Sequence, residues 1–327
     1  MAQRLILIHG RSTKPAERQL ESVLKRALIQ GIARVDQAKA DRISSGDFPV
    51  DFVYYGDINN ALLQNSATHR NTFTHQDPDH GNAPCISPEG YAEAVDALGQ
   101  IKSFNKTAYR KIIRENKDLR WVDDAARAVS TLAAIFTLNT ANRLAISAAT
   151  SDMGHYLLTR ATGSKVRTRL RSPLEQALLS GDDICLVSHS MGCIVSYDVL
   201  WKFSRMSEYT HVQGTGNKVN LWLTLGCPLG EAGVRHNLYD AHERSEDRLP
   251  RNIIKDWLNI AAHDDFISHD PTMAGDFREM KKRGFLDSIT DKRIYNCYTK
   301  DGKSNPHKFH GYLAHDLVGK SIADWMA

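Results

Sequence analysis

The stretch Asp183-Ile184-Cys185-Leu186-Val187-Ser188-His189-Ser190-Met191-Gly192-Cys193-Ile194-Val195 decides how this chain is read. A short apolar run halts at Ser-x-Ser-x-Gly, and an apolar-periodic segment (Ile194, Val195, Val199, Leu200, Phe203) follows at once. That order predicts a buried strand, a tight turn and a helix, with Ser190 at the apex. A turn this sharp lifts the serine hydroxyl off the end of a sheet. It also turns the backbone N–H groups of the helix N-terminus towards whatever the hydroxyl attacks. Ser190 is therefore the candidate nucleophile, and its base, acid and oxyanion donors have to come from elsewhere in the chain.

Outside this stretch, apolar runs rich in β-branched residues recur at 5–8, 50–55, 221–225, 257–261 and 293–298. Helical patterns occupy 16–32, 194–203 and 317–326. This alternation predicts an α/β fold, a mostly parallel sheet flanked by helices, with functional groups gathered at the carboxyl ends of its strands. Between 56 and 180 the pattern changes. Residues 65–88 are rich in Asn, Thr, His, Asp and Pro and read as a long loop, followed by helical stretches at 91–115, 121–135, 142–159 and 173–179. The expectation is one domain over residues 1–327, with a loop and helical insertion at 59–165, a cap or lid, before the nucleophile strand. No internal repeat is visible.

Bulk properties narrow the function classes. Charged residues at 24% and hydrophobic ones at 42% suit a soluble globular chain. The formal charge is only +4, and the basic residues are dispersed apart from short groups such as Arg167, Arg169, Arg171 and Lys281, Lys282, Arg283. That argues against a nucleic-acid partner. The strand pattern starting at Arg4 leaves no room for a signal peptide, and five cysteines without a CxxC suit reduced thiols, so the expected location is cytoplasmic. The apolar segment 125–150 is broken by Arg127, Asn139, Asn142 and Arg143 and does not read as a membrane span. Packing on the protein's own core or a partner subunit is its first reading, peripheral lipid contact its second. His69, His75, Asp77, Asp79 and His80 fit no ligand spacing, so a solvated loop is expected there and no metal.

Ser188-His189-Ser190-Met191-Gly192 resembles the nucleophile elbow of the α/β-hydrolase superfamily, whose pattern is Gly-x-Ser-x-Gly, with Ser188 standing at the first glycine. Leu5-Ile6-Leu7-Ile8-His9-Gly10-Arg11 is similar to the first core strand of bacterial lipases and esterases, ending in His-Gly. By that resemblance the oxyanion donors are the backbone N–H groups of Arg11 and Met191, and His9 is structural. Leu223-Thr224-Leu225-Gly226-Cys227-Pro228-Leu229 looks like the segment after the elbow helix in such enzymes. The resemblance places the triad acid just past the next strand, where Asp265 precedes Ile267 at the family spacing and Asp264 is the alternative. The base should lie between the last strand and the terminal helix, which offers His307 and His310, with His315 at the helix start. The ending Asn305-Pro306-His307 … Gly311-Tyr312-Leu313 is similar to that of related hydrolases and favours His307.

The resemblance covers roughly residues 1–58 and 180–327. It implies a serine hydrolase acting on a small acyl substrate, most broadly a carboxylic ester, with no metal or organic cofactor. Amidase, peptidase and thioesterase chemistry would use the same residues. The alternative is a catalytically silent fold serving as a binding or scaffold protein. A dinucleotide-binding fold would need a Gly-rich turn after the first strand, and residues 8–14 hold one glycine.

Overall fold

A computed structural model describes residues 2–65, 69–115, 152–268 and 272–327. Six strands form the central sheet: β1 (Gln3–Ile8), β2 (Val50–Val53), β5 (Asp183–His189), β6 (Val219–Leu225), β7 (Ile254–Ala262) and β8 (Ser288–Ile294), in the spatial order β2-β1-β5-β6-β7-β8. All five pairings are parallel, so every strand delivers its carboxyl end to the same edge. The chain reverses direction across the sheet at the β1–β5 pair, and Ser190 lies immediately beyond that junction.

Strand alternation sorts the core into two layers. Ile6 and Ile8 of β1 and Ile184 and Leu186 of β5 face the layer covered by helices Arg160–Ser180 and Met191–Arg205. Leu5, Leu7, Cys185 and Val187 face the layer covered by helices Glu17–Ala33, Tyr91–Gly99 and Asp316–Trp325. Helix Glu17–Ala33 buries Leu20, Leu24, Ala27, Leu28, Gly31 and Ile32, the one-sided stripe its sequence spacing predicts. All five cysteines are buried and free. Among the described residues no helix is long and apolar enough to cross a membrane.

Four expectations need correction. The last strand runs over Ser288–Ile294, not 293–298. β8 is an edge strand whose Asp291, Lys292 and Arg293 give it a polar sequence, whereas the run beyond it packs as irregular chain, with Cys297 and Tyr298 buried. The loop expected at 65–88 holds a two-stranded antiparallel hairpin, β3 (His75–Asp77) and β4 (Ala83–Cys85), whose strands are too short to show a period. The helical stretch 91–115 is two helices, Tyr91–Gly99 and Lys106–Glu115. Residues 173–179 belong to the longer helix Arg160–Ser180, which carries Pro173 inside it. The expected helix at 121–135, most of 142–159 and the apolar segment 125–150 lie outside the described residues.

Candidate functional site

Ser190 sits between β5 and helix Met191–Arg205 with φ +54 and ψ −124, a left-handed conformation that a non-glycine residue adopts only under constraint. The constraint comes from both sides. Its N–H donates to Leu225 O across the sheet at 3.1 Å, and its own carbonyl accepts from Cys193 N at 2.9 Å. A Cβ on Gly192 would lie 2.7 Å from His9 O and 3.0 Å from Ile8 O, so the helix can cross this close to β1 only with glycine there.

The serine at the elbow's first position has its own accommodation. Ser188 is fully buried, its hydroxyl shares a 2.8 Å hydrogen bond with Ser196 of the following helix, and the Trp222 indole donates to it at 3.0 Å. A polar atom that would otherwise be stranded beneath the helix is thus fully partnered.

His307 Nε2 lies 2.8 Å from Ser190 Oγ, and its Nδ1 lies 2.8 and 2.9 Å from the two oxygens of Asp265. The carboxylate can only accept, so Nδ1 carries the proton and Nε2 is free to accept from the serine hydroxyl. The His307 backbone is set by its own N–H donating to Asn305 Oδ1 at 3.0 Å and by its carbonyl accepting from His189 Nε2 at 2.7 Å. His189 stacks on Phe309 at 4.7 Å between ring centroids.

Asp265 follows β7 and is buried. Burial would raise its pKa. The His307 charge and the hydrogen bonds from His307, Tyr312 and the Ile267 N–H together outweigh that, and the carboxyl is held below its ordinary value. Tyr312 Oη donates to Asp265 Oδ2 at 2.7 Å and accepts from Ala262 N at 2.8 Å. Gly226, at φ +56, leaves the room this pair needs: a Cβ there would lie 2.9 Å from Asp265 Oδ2 and 3.0 Å from His307 Nδ1.

The other sequence candidates lie apart from Ser190. Asp264 is exposed. His310 is buried, stacked on Tyr91 and Tyr298 at 5.5 Å each, with neither ring nitrogen hydrogen-bonded, and burial holds it well below its usual pKa. His315 caps the terminal helix through Nδ1, which accepts from Leu317 N. His9 stacks on Tyr55 at 4.0 Å and accepts from the Tyr55 N–H at 3.1 Å.

Gly10 touches the elbow: a Cβ there would lie 2.7 Å from Ser190 Cβ. The Arg11 N–H follows, and the Met191 N–H opens the elbow helix. Neither has a protein acceptor among the described residues. The loop is shaped by buried Asp152, which accepts from Ser12 N and from Arg11 Nε. In the 69–80 region, His80 pairs with Glu17 at 2.7 Å, and Asp77 accepts from the Glu17 and Asp79 N–H groups. These side chains tie the hairpin to helix Glu17–Ala33.

Sequence reasoning missed Tyr312, His189 and Asp152. Tyr312 had a weak signal in its place within Gly-Tyr-Leu. Asp152 had none, since its contact with residues 11–12 is made across the whole first half of the chain. No protein-family model, no curated protein and no solved structure matches this chain.

Proposed function

We propose that the protein is a serine hydrolase that cleaves a carboxylic ester or related acyl bond through Ser190, His307 and Asp265. The observation that carries this reading is the pair of contacts on one imidazole: 2.8 Å from Nε2 to Ser190 Oγ and 2.8 Å from Nδ1 to Asp265. His307 accepts the Ser190 proton on Nε2 as Oγ bonds to the acyl carbon. Asp265 keeps Nδ1–H in place and stabilises the imidazolium. The Met191 and Arg11 N–H groups receive the oxyanion, and each such donor contributes a few kcal/mol. As the bond to the leaving group breaks, Nε2–H passes its proton to the departing oxygen. Water then attacks the acyl-enzyme with His307 again as base, Nε2–H returns the proton to Ser190 Oγ as its bond to the acyl carbon breaks, and the acid leaves.

The test is labelling by a fluorophosphonate probe. The intact chain and His310→Ala label, while Ser190→Ala and His307→Ala do not. An intact, folded chain that fails to label where a known serine hydrolase reacts would leave the silent-fold reading in its place. p-Nitrophenyl esters against the matching anilides then separate esterase from amidase action.

A further inference from the structure

Two lysines flank the Ser190 region without a salt-bridge partner among the described residues. Lys14 closes the loop after β1; its Nζ donates to the carbonyls of Arg11 and Ser12. Buried Asn60 grips its backbone from both sides, accepting from Lys14 N at 2.8 Å and donating to Lys14 O at 3.0 Å. Lys308 directly follows His307. Its Nζ lies over the rings of Tyr91 and Tyr298, 4.8 and 5.9 Å from their centroids, and its nearest polar partner is Tyr91 Oη at 3.5 Å. Among the described residues neither ammonium is within salt-bridge distance of a carboxylate. Asp152, the acid of this loop, is already held by Arg11 and the Ser12 N–H. Lys300, the second cation over Tyr91, is paired with Asp301 at 2.6 Å.

The two ammoniums feel one another. Lys14 is pushed down to about 7, first by burial and then by the Lys308 charge, with Asp152 acting against both and Arg11 adding to the fall. His189, the residue before Ser190, is held down first by burial and then by the His307 charge, and both lysines add smaller contributions. The floor beneath Lys308 is polar and unsatisfied: both nitrogens of His310 and the Tyr298 hydroxyl are buried without hydrogen bonds. Like charges brought together in a partly desolvated place destabilise the protein unless something of opposite sign joins them. Among the described residues Asp152 offsets the Lys14 charge only in part, since it is already engaged by Arg11 and the Ser12 N–H, and no carboxylate pairs with Lys308.

We propose that Lys14 and Lys308 bind an anionic group of the substrate, a carboxylate or a phosphate, so that Ser190 acts on acyl compounds bearing a negative charge near the scissile carbonyl. The proposal rests on the hydrolase reading, and its test keeps the two apart.

Kinetics supply one arm and binding the other. The intact chain cleaves the p-nitrophenyl half-ester of succinic acid with a kcat/KM about tenfold or more above that of p-nitrophenyl butyrate, as charge-assisted hydrogen bonds to a substrate carboxylate would give. That ratio collapses in Lys308→Met, survives in Lys308→Arg and falls as salt is raised. Cleavage of both esters with no preference for the half-ester overturns the proposal and leaves the hydrolase reading standing. In Ser190→Ala, calorimetric titration with monomethyl succinate and with inorganic phosphate shows which anion the site accepts. Binding of at least one, weakened about tenfold or more by Lys308→Met or Lys14→Met, supports the site even if no ester is cleaved. Binding of neither, or binding that the lysine substitutions leave alone, overturns it.

Discussion

The Tyr312 hydroxyl accepts from the Ala262 N–H and donates to Asp265, tying the end of β7 to the carboxylate that orients His307. Tyr312→Phe leaves the Ala262 N–H without its acceptor and removes one of the donors that hold Asp265 below its ordinary pKa. The Asp265 pKa therefore rises, and stability falls by about 1–3 kcal/mol. Because Tyr312 holds the acid of the proposed triad, kcat is expected to fall about five- to thirtyfold, on the usual worth of one buried hydrogen bond, while KM stays nearly constant. A drop in Tm with kcat and the pH–rate profile unchanged would reduce Tyr312 to a packing residue. At this scale the sequence carried the turn chemistry and little of its support. Ser190 was legible because strand, tight turn and helix meet at one point. The partners of Ser188, namely Ser196 in the following helix and Trp222 on the next strand, depend on packing that no linear spacing expresses.

Helices Glu17–Ala33 and Asp316–Trp325 cross at two glycines: a Cβ on Gly319 would run into the carbonyl of Gly31, and one on Gly31 into the carbonyl of Leu313. Gly319→Ala must push the helices apart, at a cost of about 1–3 kcal/mol for overpacking, despite the better helix propensity of alanine. A thermal melt should show Tm several degrees lower, and an unchanged or raised Tm would mean that the contact is loose. The short helix Phe309–Leu313, which carries Tyr312 and lies two residues after His307, packs on the same helix Glu17–Ala33. Loss of labelling rate is therefore expected to accompany the loss of stability. Elements with a strong period were the legible ones: the buried strands and the amphipathic helices. β8 was misplaced because an edge strand needs little apolar surface, and helix Gln37–Ser45 went unseen because it buries only Ala40 and Ile43.

Four histidines distributed through the molecule, His9, His189, His310 and His315, are held uncharged by burial, the last pushed down to about 4. Each binds its proton more readily in the unfolded chain, where the pKa is near 6.5. The stability they allow is therefore complete above that value and is lost as pH falls below it, by up to about 1.4 kcal/mol per pH unit for each group. Buried Asp198 works in the opposite sense: raised to about 6 by burial, it loses stability as pH climbs from about 4 to about 6. Four groups outweigh one, so the urea midpoint should fall steeply between pH 7 and 5, and His310→Leu should flatten the slope. A midpoint constant over that range would show that these rings reach solvent. The parallel sheet with helices on both faces was legible at this scale from alternation alone. The cationic pair Lys14 and Lys308 was not, because the two lie 294 positions apart in the sequence and only the fold lets the charge of one act on the other.

The partner that lets Ser188 replace a glycine has an optical consequence. Trp222 donates to Ser188, Trp257 donates at 2.9 Å to Thr224, and the two indoles face each other with centroids 4.3 Å apart. The strand that presents the nucleophile therefore ends a relay of hydroxyl and indole groups running across the sheet. If Ser190 is acylated as proposed, a displacement at the elbow is expected to change the emission of this buried tryptophan pair, a readout that needs no added dye.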